Sequence, residues 1–345
     1  MKVEIIVGGV MLAALGIGGF VLYKNPPENT SSNVEYKING YEEFKYVEIE
    51  NPAGFVSSDP FKLEDIVGEK VILIDFVTYS CINCQRTFPY LKEWYEKYED
   101  QGLEIVGIHT PEFAFEKKKE NVFKEMVEKW GLTFPLVLDN DYGTWRAWEN
   151  QYWPRKYLID IHGNVVYDHI GEGSYDETEK KIIELLKERK EVLGEDGDVS
   201  SDLVDIQEIK KDSNSPEAYF GASRNEYLSN GKKGVVGSQE FKTPSKIVPN
   251  KLYLAGNWNI TEESAVTSEV GSKVFFNFIA KEVNIVASSD EGGKVRIYID
   301  GENVGEYDIN EPTLYEIFKA EKGESHVLEI EVIQGEFEIF TFTFG

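Results

Sequence analysis

Residues 71–89 read V-I-L-I-D-F-V-T-Y-S-C-I-N-C-Q-R-T-F-P, and this stretch decides the fold of the first half of the chain. It contains the only two cysteines among 345 residues, Cys81 and Cys84, in a C-x-x-C spacing. An apolar run typical of a buried strand precedes them, and a helical pattern over residues 85–100 follows. Cys81 is therefore expected at a helix N-terminus, where unpaired N–H groups and the helix dipole favour a thiolate.

The spacing of the two cysteines predicts dithiol redox chemistry. The Cys81 thiolate would attack a partner disulfide, and Cys84, one turn further along, would then release the partner by attacking the mixed disulfide. Zinc binding is an alternative, but the sequence has no second C-x-x-C and no paired histidines to complete a site. A static disulfide would close a loop too short to stabilise the chain much. We therefore expect a redox-active Cys81–Cys84 disulfide, no metal and no other cofactor.

Charge and the N-terminal segment limit the partners and the location. The net charge of −26 argues against nucleic-acid binding, because a phosphate backbone would be repelled. Residues 5–23 form an uncharged run that is marginally long enough for one bilayer crossing. A cleaved signal peptide is the alternative, but its apolar region is usually shorter and ends in an A-x-A-like site. We expect a single-pass cell-membrane protein anchored by residues 1–24, with its bulk on the extracytoplasmic side.

The periodicity of the remaining sequence predicts two domains. Residues 25–60 are interpreted as a tether and lead-in, residues 61–190 as an α/β domain with a mixed sheet, and residues 191–214 as an acidic linker. Residues 215–345 alternate with period two and contain no convincing helix, which predicts an all-β sandwich. In the α/β domain, strands are predicted over residues 71–77, 103–109, 134–138, 157–160 and 165–169, and helices over residues 85–100, 118–130, 142–150 and 176–189.

Beyond the C-x-x-C segment, three ordered motifs give the first domain a family resemblance. They are G-I-H-T-P-E-F-A-F-E, L-D-N-D-Y-G-T-W-R-A-W and Y-W-P-R-K-Y-L-I-D, the last followed by G-N-V-V-Y-D-H-I-G-E-G-S-Y. Across residues 61–186 the chain resembles thioredoxin-fold oxidoreductases of the TlpA/ResA-like group, and most closely the C-terminal region of DipZ-type proteins. The resemblance implies a thioredoxin fold followed by a jelly-roll β-sandwich like a carbohydrate-binding module.

The resemblance also implies catalytic roles. Cys81 matches the exposed nucleophile and Cys84 matches the resolving thiol. Asp75 matches a buried acid that could take the proton from Cys84, whereas a solvated strand-end aspartate is the alternative. Glu112 lies in the region where ResA-like proteins carry a glutamate that tunes the thiols.

Substrate-binding roles follow from the same resemblance. Pro154 matches the proline that is cis in thioredoxin folds, and it would aim the backbone of Trp153 at an incoming substrate strand. The side chains that would shape the approach to the nucleophile are Tyr79, Ile82 and Asn83.

These features predict an extracytoplasmic thiol–disulfide oxidoreductase that reduces disulfides of exported proteins. DipZ-type proteins carry a membrane domain before this region, and here a single anchor replaces it, so electrons would come from a separate CcdA/DsbD-like membrane partner. The direction of electron flow stays open.

Two other functions are alternatives. One is a thiol peroxidase-like redoxin, because Thr78 and Cys81 form a T-x-x-C arrangement. The other is a surface module that binds protein or glycan, with an accessory redox domain. Its candidate sugar-stacking aromatics, which are more usually core residues, are Tyr219, Tyr227, Tyr253 and Trp258.

Overall fold

The computed structural model describes residues 44–209 and 211–345. The expected membrane anchor and most of the expected tether lie outside these residues. Within the two described ranges, no helix has the length and apolar character needed to cross a bilayer.

The first domain is built on a mixed sheet with strand order β1-β7-β6-β3-β4-β5-β2. The three strands β3, β4 and β5 run parallel, and the other neighbours pair antiparallel. This is the mixed sheet of a thioredoxin fold. The strands are β1 (Phe44–Lys45), β2 (Gly54–Val56), β3 (Val71–Val77), β4 (Leu103–His109), β5 (Leu136–Leu138), β6 (Arg155–Ile159) and β7 (Asn164–Ile170).

The lead-in to the first domain belongs to its sheet. Strands β1 and β2 lie within residues 25–60, which sequence analysis interpreted as a tether and lead-in, and they form the two outer edges. Within the described part of this segment, residues 44–60, β1 pairs with β7 and β2 pairs with β5. The five strands predicted from residue 71 onwards are confirmed, with small changes at their ends.

Strand β3 is buried on both faces, as a central strand covered by helices should be. Because side chains alternate along a strand, Val71, Leu73 and Val77 face one core, and Ile72 and Ile74 face the other. Asp75 has the same parity as Leu73, so it points to the side on which the longest helices pack. Those helices are α1 (Ile82–Tyr98) and α4 (Tyr175–Leu193).

The shorter helices complete the first domain. Helix α2 (Lys119–Val122) continues as a π-helical stretch, Phe123–Lys129, so the helix predicted over residues 118–130 is present in two forms. Helix α3 (Gly143–Ala147) is shorter than predicted, and α1 begins three residues earlier than predicted. The earlier start makes Cys81 the N-cap residue of α1.

The segment expected to be an acidic linker packs along the first domain. Val199 is buried, and Leu203, Val204 and Ile206 contact the core beneath α1 and α4. We call residues 199–206 the strap. Its apolar residues, spaced among acidic ones, are what hold it against the domain.

The second domain is all-β and antiparallel. Strand order is β14-β13-β15-β12-β10-β11-β16-β8, with β9 beside β10. The long strand β12 pairs with β10 at one end and with β16 at the other, so the hydrogen bonds form one continuous sheet around a single apolar core. The strands are β8 (Ala218–Tyr219), β9 (Gly237–Phe241), β10 (Leu252–Ile260), β11 (Ala265–Thr267), β12 (Lys273–Ser288), β13 (Gly293–Ile299), β14 (Glu302–Ile309), β15 (Thr313–Gln334) and β16 (Phe337–Phe344).

Candidate active site

The two cysteines lie where β3 ends and α1 begins. Cys81 is partly exposed at the N-cap, Cys84 is fully buried in the first turn, and the two sulfurs are not bonded. The Sγ of Cys81 lies 4.0 Å from the carbonyl oxygen of Trp153, whose peptide bond to Pro154 is cis. The structure therefore brings Cys81, Cys84 and the backbone of Trp153 together at one place.

Behind the cysteines lies a buried pair of opposite charges. The register of β3 with β6 sets Asp75 opposite Lys156, with Nζ 4.0 Å from Oδ1. Both side chains are fully buried, and in the part of the chain that the structure describes neither makes a hydrogen bond. Burial raises the pKa of Asp75 to about 7, although the Lys156 charge acts to lower it. A carboxyl group with this pKa can both take and return a proton near neutral pH.

The thiol of Cys84 is held in its protonated form. Burial raises its pKa well above the ordinary value, and the neighbouring Cys81 adds to the effect. The negative charge of Asp75 acts in the same direction. Cys84 therefore needs a base before it can attack, and the carboxylate of Asp75 lies near enough to influence the pKa of Cys84.

Lys156 was not identified from the sequence. Lys156 follows the cis proline by two residues and precedes the apolar residues of β6. A lysine directly before a buried apolar run was the available signal in the sequence. Burial lowers the pKa of Lys156, and the charges of Asp75 and Cys84 oppose that change. Its ammonium group is therefore a positive charge close to both proton-carrying groups.

Glu116 is a second residue that the sequence analysis missed. Its Oε1 accepts hydrogen bonds from the hydroxyl of Thr78 at 2.5 Å, from the hydroxyl of Ser80 at 2.6 Å and from the N–H of Ser80 at 3.3 Å. Burial raises the pKa of Glu116 to about 7, against the lowering effect of the Ser80 and Thr78 hydrogen bonds. The signal in the sequence was the position of Glu116, three residues after Phe113. A glutamate at this spacing can accept the backbone N–H of the residue that caps a helical turn, as Glu116 does for Phe113.

Glu112, the glutamate that the sequence analysis named, is held by the second domain. Its Oε1 accepts hydrogen bonds from Tyr219 at 2.9 Å and from Arg224 at 2.8 Å. Its backbone N–H donates to Oε2 of Glu116 at 2.5 Å. Glu112 thus connects the second domain to Glu116, which contacts the segment before the nucleophile.

The second domain covers one side of the C-x-x-C segment. Ile82, between the two cysteines, is 9% exposed and packs with Phe113, Val286, Leu314 and Phe340, which we call the interdomain cluster. The hydroxyl of the fully buried Tyr79 donates to the carbonyl of Pro312 in the same domain. Of the five residues expected to bind substrate, Tyr79, Ile82 and Pro154 are buried, whereas Asn83 and Trp153 are half-buried and reachable.

The aromatic residues considered for sugar stacking are mostly covered. Trp258 is 1% exposed, and its Nε1 donates to the carbonyl of Ala255. Tyr219 lies between the domains, Tyr253 is buried and Tyr227 is half-buried. Burial by the sheet core and by the first domain leaves these rings little free face for a sugar.

Two family models match the chain. The model described as the AhpC/TSA family matches residues 47–168, and the model described as a thioredoxin-like C-terminal domain matches residues 215–345. The two matches therefore fall on the first and second domains.

Three curated relatives extend this comparison. Protein DipZ of Mycobacterium tuberculosis is 35% identical over 286 residues, which are 83% of this chain and 40% of DipZ. Thiol-disulfide oxidoreductase YkuV of Bacillus subtilis is 31% identical over 125 residues, 36% of this chain and 83% of YkuV. Thiol-disulfide oxidoreductase ResA of Halalkalibacterium halodurans is 29% identical over 136 residues, 37% of this chain and 73% of ResA. The chain thus spans two-fifths of the length of DipZ.

The similarity and the site agree. The match to DipZ covers too much of the chain to be confined to either domain, and the match to YkuV spans most of that protein. The C-x-x-C pair lies at a strand–helix junction beside a cis proline, on a mixed sheet of thioredoxin type. The chain therefore belongs to the thioredoxin-like thiol–disulfide oxidoreductase family.

Proposed function

We propose that this protein reduces disulfide bonds of other proteins through the Cys81–Cys84 dithiol. The observation that carries the proposal is the pairing of a partly exposed cysteine at a helix N-cap with a buried cysteine in the first turn. The first thiol is reachable by a client disulfide, and the second is reachable only by the first. This asymmetry is what a nucleophile and a resolving thiol require.

The reaction proceeds in two exchanges. The Cys81 thiolate attacks one sulfur of the client disulfide, which forms a Cys81–client disulfide and releases the other client sulfur as a thiolate that takes a proton from water. Cys84 then gives its proton to Asp75 and attacks the Sγ of Cys81. The second client thiolate leaves and takes a proton, which Asp75 can supply. The client gains two electrons and two protons, and the protein is left with the Cys81–Cys84 disulfide.

The client is expected to approach from the side that the second domain leaves open. Asn83 and Trp153 are the half-buried residues there, and the carbonyl of Trp153 already lies beside the Cys81 sulfur. An extended client segment could donate a backbone N–H to that carbonyl. Ile82 belongs to the covered side, so we assign it to the domain interface and not to client binding.

We also propose that the protein is anchored in the membrane and receives its electrons from a membrane partner. The apolar run of residues 5–23 supports a single membrane anchor with the described domains on the extracytoplasmic side. Each reduction leaves a disulfide that must be reduced again, and a CcdA/DsbD-like membrane partner would supply the two electrons. Clients would then be exported proteins that contain thiols or disulfides.

The second domain is proposed to be a jelly-roll sandwich like a carbohydrate-binding module. Its antiparallel strands and single apolar core support this assignment. Since the candidate stacking aromatics are largely covered, we favour a structural role beside the active site over glycan binding. The T-x-x-C arrangement does not support a peroxidase role, because the Thr78 hydroxyl donates its hydrogen bond to Glu116.

A trapping experiment tests the proposed function. With the full chain and insulin as the disulfide substrate, Cys84→Ser should accumulate a mixed disulfide at Cys81, because the resolving thiol is missing. Cys81→Ser should form no adduct and reduce no insulin above the uncatalysed rate. Turnover retained by Cys81→Ser would exclude the mechanism. Peroxide consumption by Cys84→Ser as fast as by the wild type, with Cys81 oxidised to the sulfenic acid, would favour the peroxidase alternative.

A further inference from the structure

We propose that Arg224 and Tyr219 of the second domain are positioning residues for Cys81, acting through the loop of residues 110–117 and through Glu116. The inference rests on the proposed dithiol function and gives the second domain a part in it. A continuous series of hydrogen bonds joins Arg224 to Ser80, the residue that precedes the nucleophile.

The first link is a clamp on Glu112 that comes from the second domain. The carboxylate of Glu112, 13% exposed, accepts hydrogen bonds from Arg224 and Tyr219 at 2.8 and 2.9 Å. The Arg224 guanidinium lies 3.7 Å from the centroid of the Tyr219 ring, so each partner orients the other. A further tether joins the same loop to the second domain, since the N–H of Ala114 donates to Glu263 at 2.9 Å.

The second link runs from this loop to Glu116. The N–H groups of Glu112 and Phe113 both donate to Oε2 of Glu116, at 2.5 and 2.9 Å. Hydrogen bonds to an ionised carboxylate are stronger than neutral ones and hold its geometry closely. Because the clamp fixes Glu112, it also fixes the two donors that orient the carboxylate of Glu116.

The third link joins Glu116 to the nucleophile. Oε1 of Glu116 holds both the hydroxyl and the N–H of Ser80, and Ser80 is bonded directly to Cys81. The reactivity of an N-cap cysteine depends on its position relative to the N–H groups of the first helical turn. A shift of Ser80 would move the Cys81 sulfur relative to those groups.

Charge acts in the same direction as geometry. Without Arg224, the negative charge of Glu112 would lie uncompensated beside Glu116, whose Oε1 holds the residue that precedes Cys81. Glu112 already raises the pKa of Glu116. An unbalanced negative charge disfavours a nearby thiolate. Ionisable groups from several elements interact with Glu116 or with its loop, and they include Glu112, Tyr79, Asp139, Tyr142, Glu217, Tyr219, Arg224 and Glu263.

The test measures the alkylation of Cys81 by iodoacetamide in the reduced full chain from pH 5 to 10, with the labelled residue identified by peptide mass. Arg224→Ala should move the pH midpoint of alkylation upwards. It should also slow the reaction at pH 7 roughly threefold to tenfold, the size of coupling expected between contacting residues. Tyr219→Phe should give a smaller shift in the same direction, and Arg224→Lys should restore most of the wild-type profile because it keeps the cation.

Two controls separate positioning from general destabilisation. Arg296→Ala removes another arginine of the second domain, one that pairs with Glu306 on the surface, and should leave the profile unchanged. In a Glu112→Gln background, Arg224→Ala should add no further shift. A wild-type profile in Arg224→Ala, or an equal shift with and without Glu112, would overturn the inference. Alkylation needs no client and no turnover, so this result is independent of the trapping experiment.

Discussion

At the scale of single residues, the buried pair of Asp75 and Lys156 lowers the stability of the first domain. Two charged groups are buried 4.0 Å apart, and within the described residues neither makes a hydrogen bond. Buried charges that lack close partners reduce stability, so such a pair is retained for a purpose other than folding. Proton transfer to and from Cys84 is the purpose that the geometry supports.

Replacing Asp75 with Asn should change how the stability of the protein depends on pH, and it should slow the chemistry of the site. The folded pKa of about 7 lies above the unfolded value, so the unfolded state loses its proton first as the pH rises. The wild type therefore loses stability between about pH 4 and pH 7. The free energy of unfolding of Asp75→Asn relative to the wild type should therefore rise from pH 4 to pH 8, by an amount on the order of 4 kcal/mol. The loss of the counter-charge of Lys156 lowers the stability of the variant and opposes this gain.

Urea unfolding at pH 4, 6 and 8 measures this change, with the exposed Asp59→Asn as the matched control. The same variant should resolve the Cys81–client disulfide roughly 10²-fold more slowly, because the general base is missing. A stability difference from the wild type that stays the same from pH 4 to pH 8, or a variant that resolves the mixed disulfide at the normal rate, would contradict the assigned role.

At the scale of elements, the strap is fixed by one buried carboxylate on α4. Glu179 is 1% exposed and accepts hydrogen bonds from the hydroxyl of Tyr98, from Nζ of Lys97 and from the N–H of Val204. One side chain thus joins α1, α4 and the strap. This explains how an acidic segment that looks like a linker follows a defined path.

Glu179→Ala should detach the strap and destabilise the first domain. The change leaves the Tyr98 hydroxyl and the Val204 N–H without their acceptor, at a cost of about 2–4 kcal/mol in the free energy of unfolding. Glu184→Ala on the same helix is the control, since Glu184 is exposed and forms a surface ion pair with Lys181. Equal losses in the two variants, measured in urea, would show that Glu179 does not anchor the strap.

At the scale of the whole molecule, the second domain is part of the active-site structure. The interdomain cluster buries Ile82, and Phe340 contributes a ring 5.0 Å from that of Phe113 and 4.9 Å from that of Phe115. Two ion pairs also join the domains, one between Arg86 and Glu282 and one between Lys124 and Glu311. Residues of both domains therefore surround the C-x-x-C segment.

Phe340→Ala should loosen this interface selectively. Loss of a buried aromatic ring costs about 3–5 kcal/mol. Because the ring lies between the domains, local opening should become easier at residues 78–86 and 110–117. Amide hydrogen exchange in these two segments should accelerate roughly tenfold or more. Val295→Ala removes a core side chain within the second domain and should leave both segments protected. Equal acceleration in the two variants would indicate general destabilisation.

The sequence by itself determined the features that local patterns encode. The C-x-x-C pair, the strand before it, the helix after it and the change to an all-β second half all follow from the periodicity of neighbouring residues. The strands from residue 71 onwards therefore agreed closely with their predicted positions. Cys81 lies beside the Trp153 carbonyl, and Asp75 lies near Cys84, because β3 and β6 are neighbours in the sheet.

Only the tertiary structure decided how the site is completed. Glu116 and Lys156 reach Ser80 and Asp75 through loop geometry and strand register, and neither follows from local periodicity. Arg224 meets Glu112, and Ile82 meets Phe340, across more than 100 residues of chain. Such contacts depend on how two separately patterned domains pack against each other. The periodicity of each domain specifies its own core, and the surface where the two domains meet forms only when both have folded.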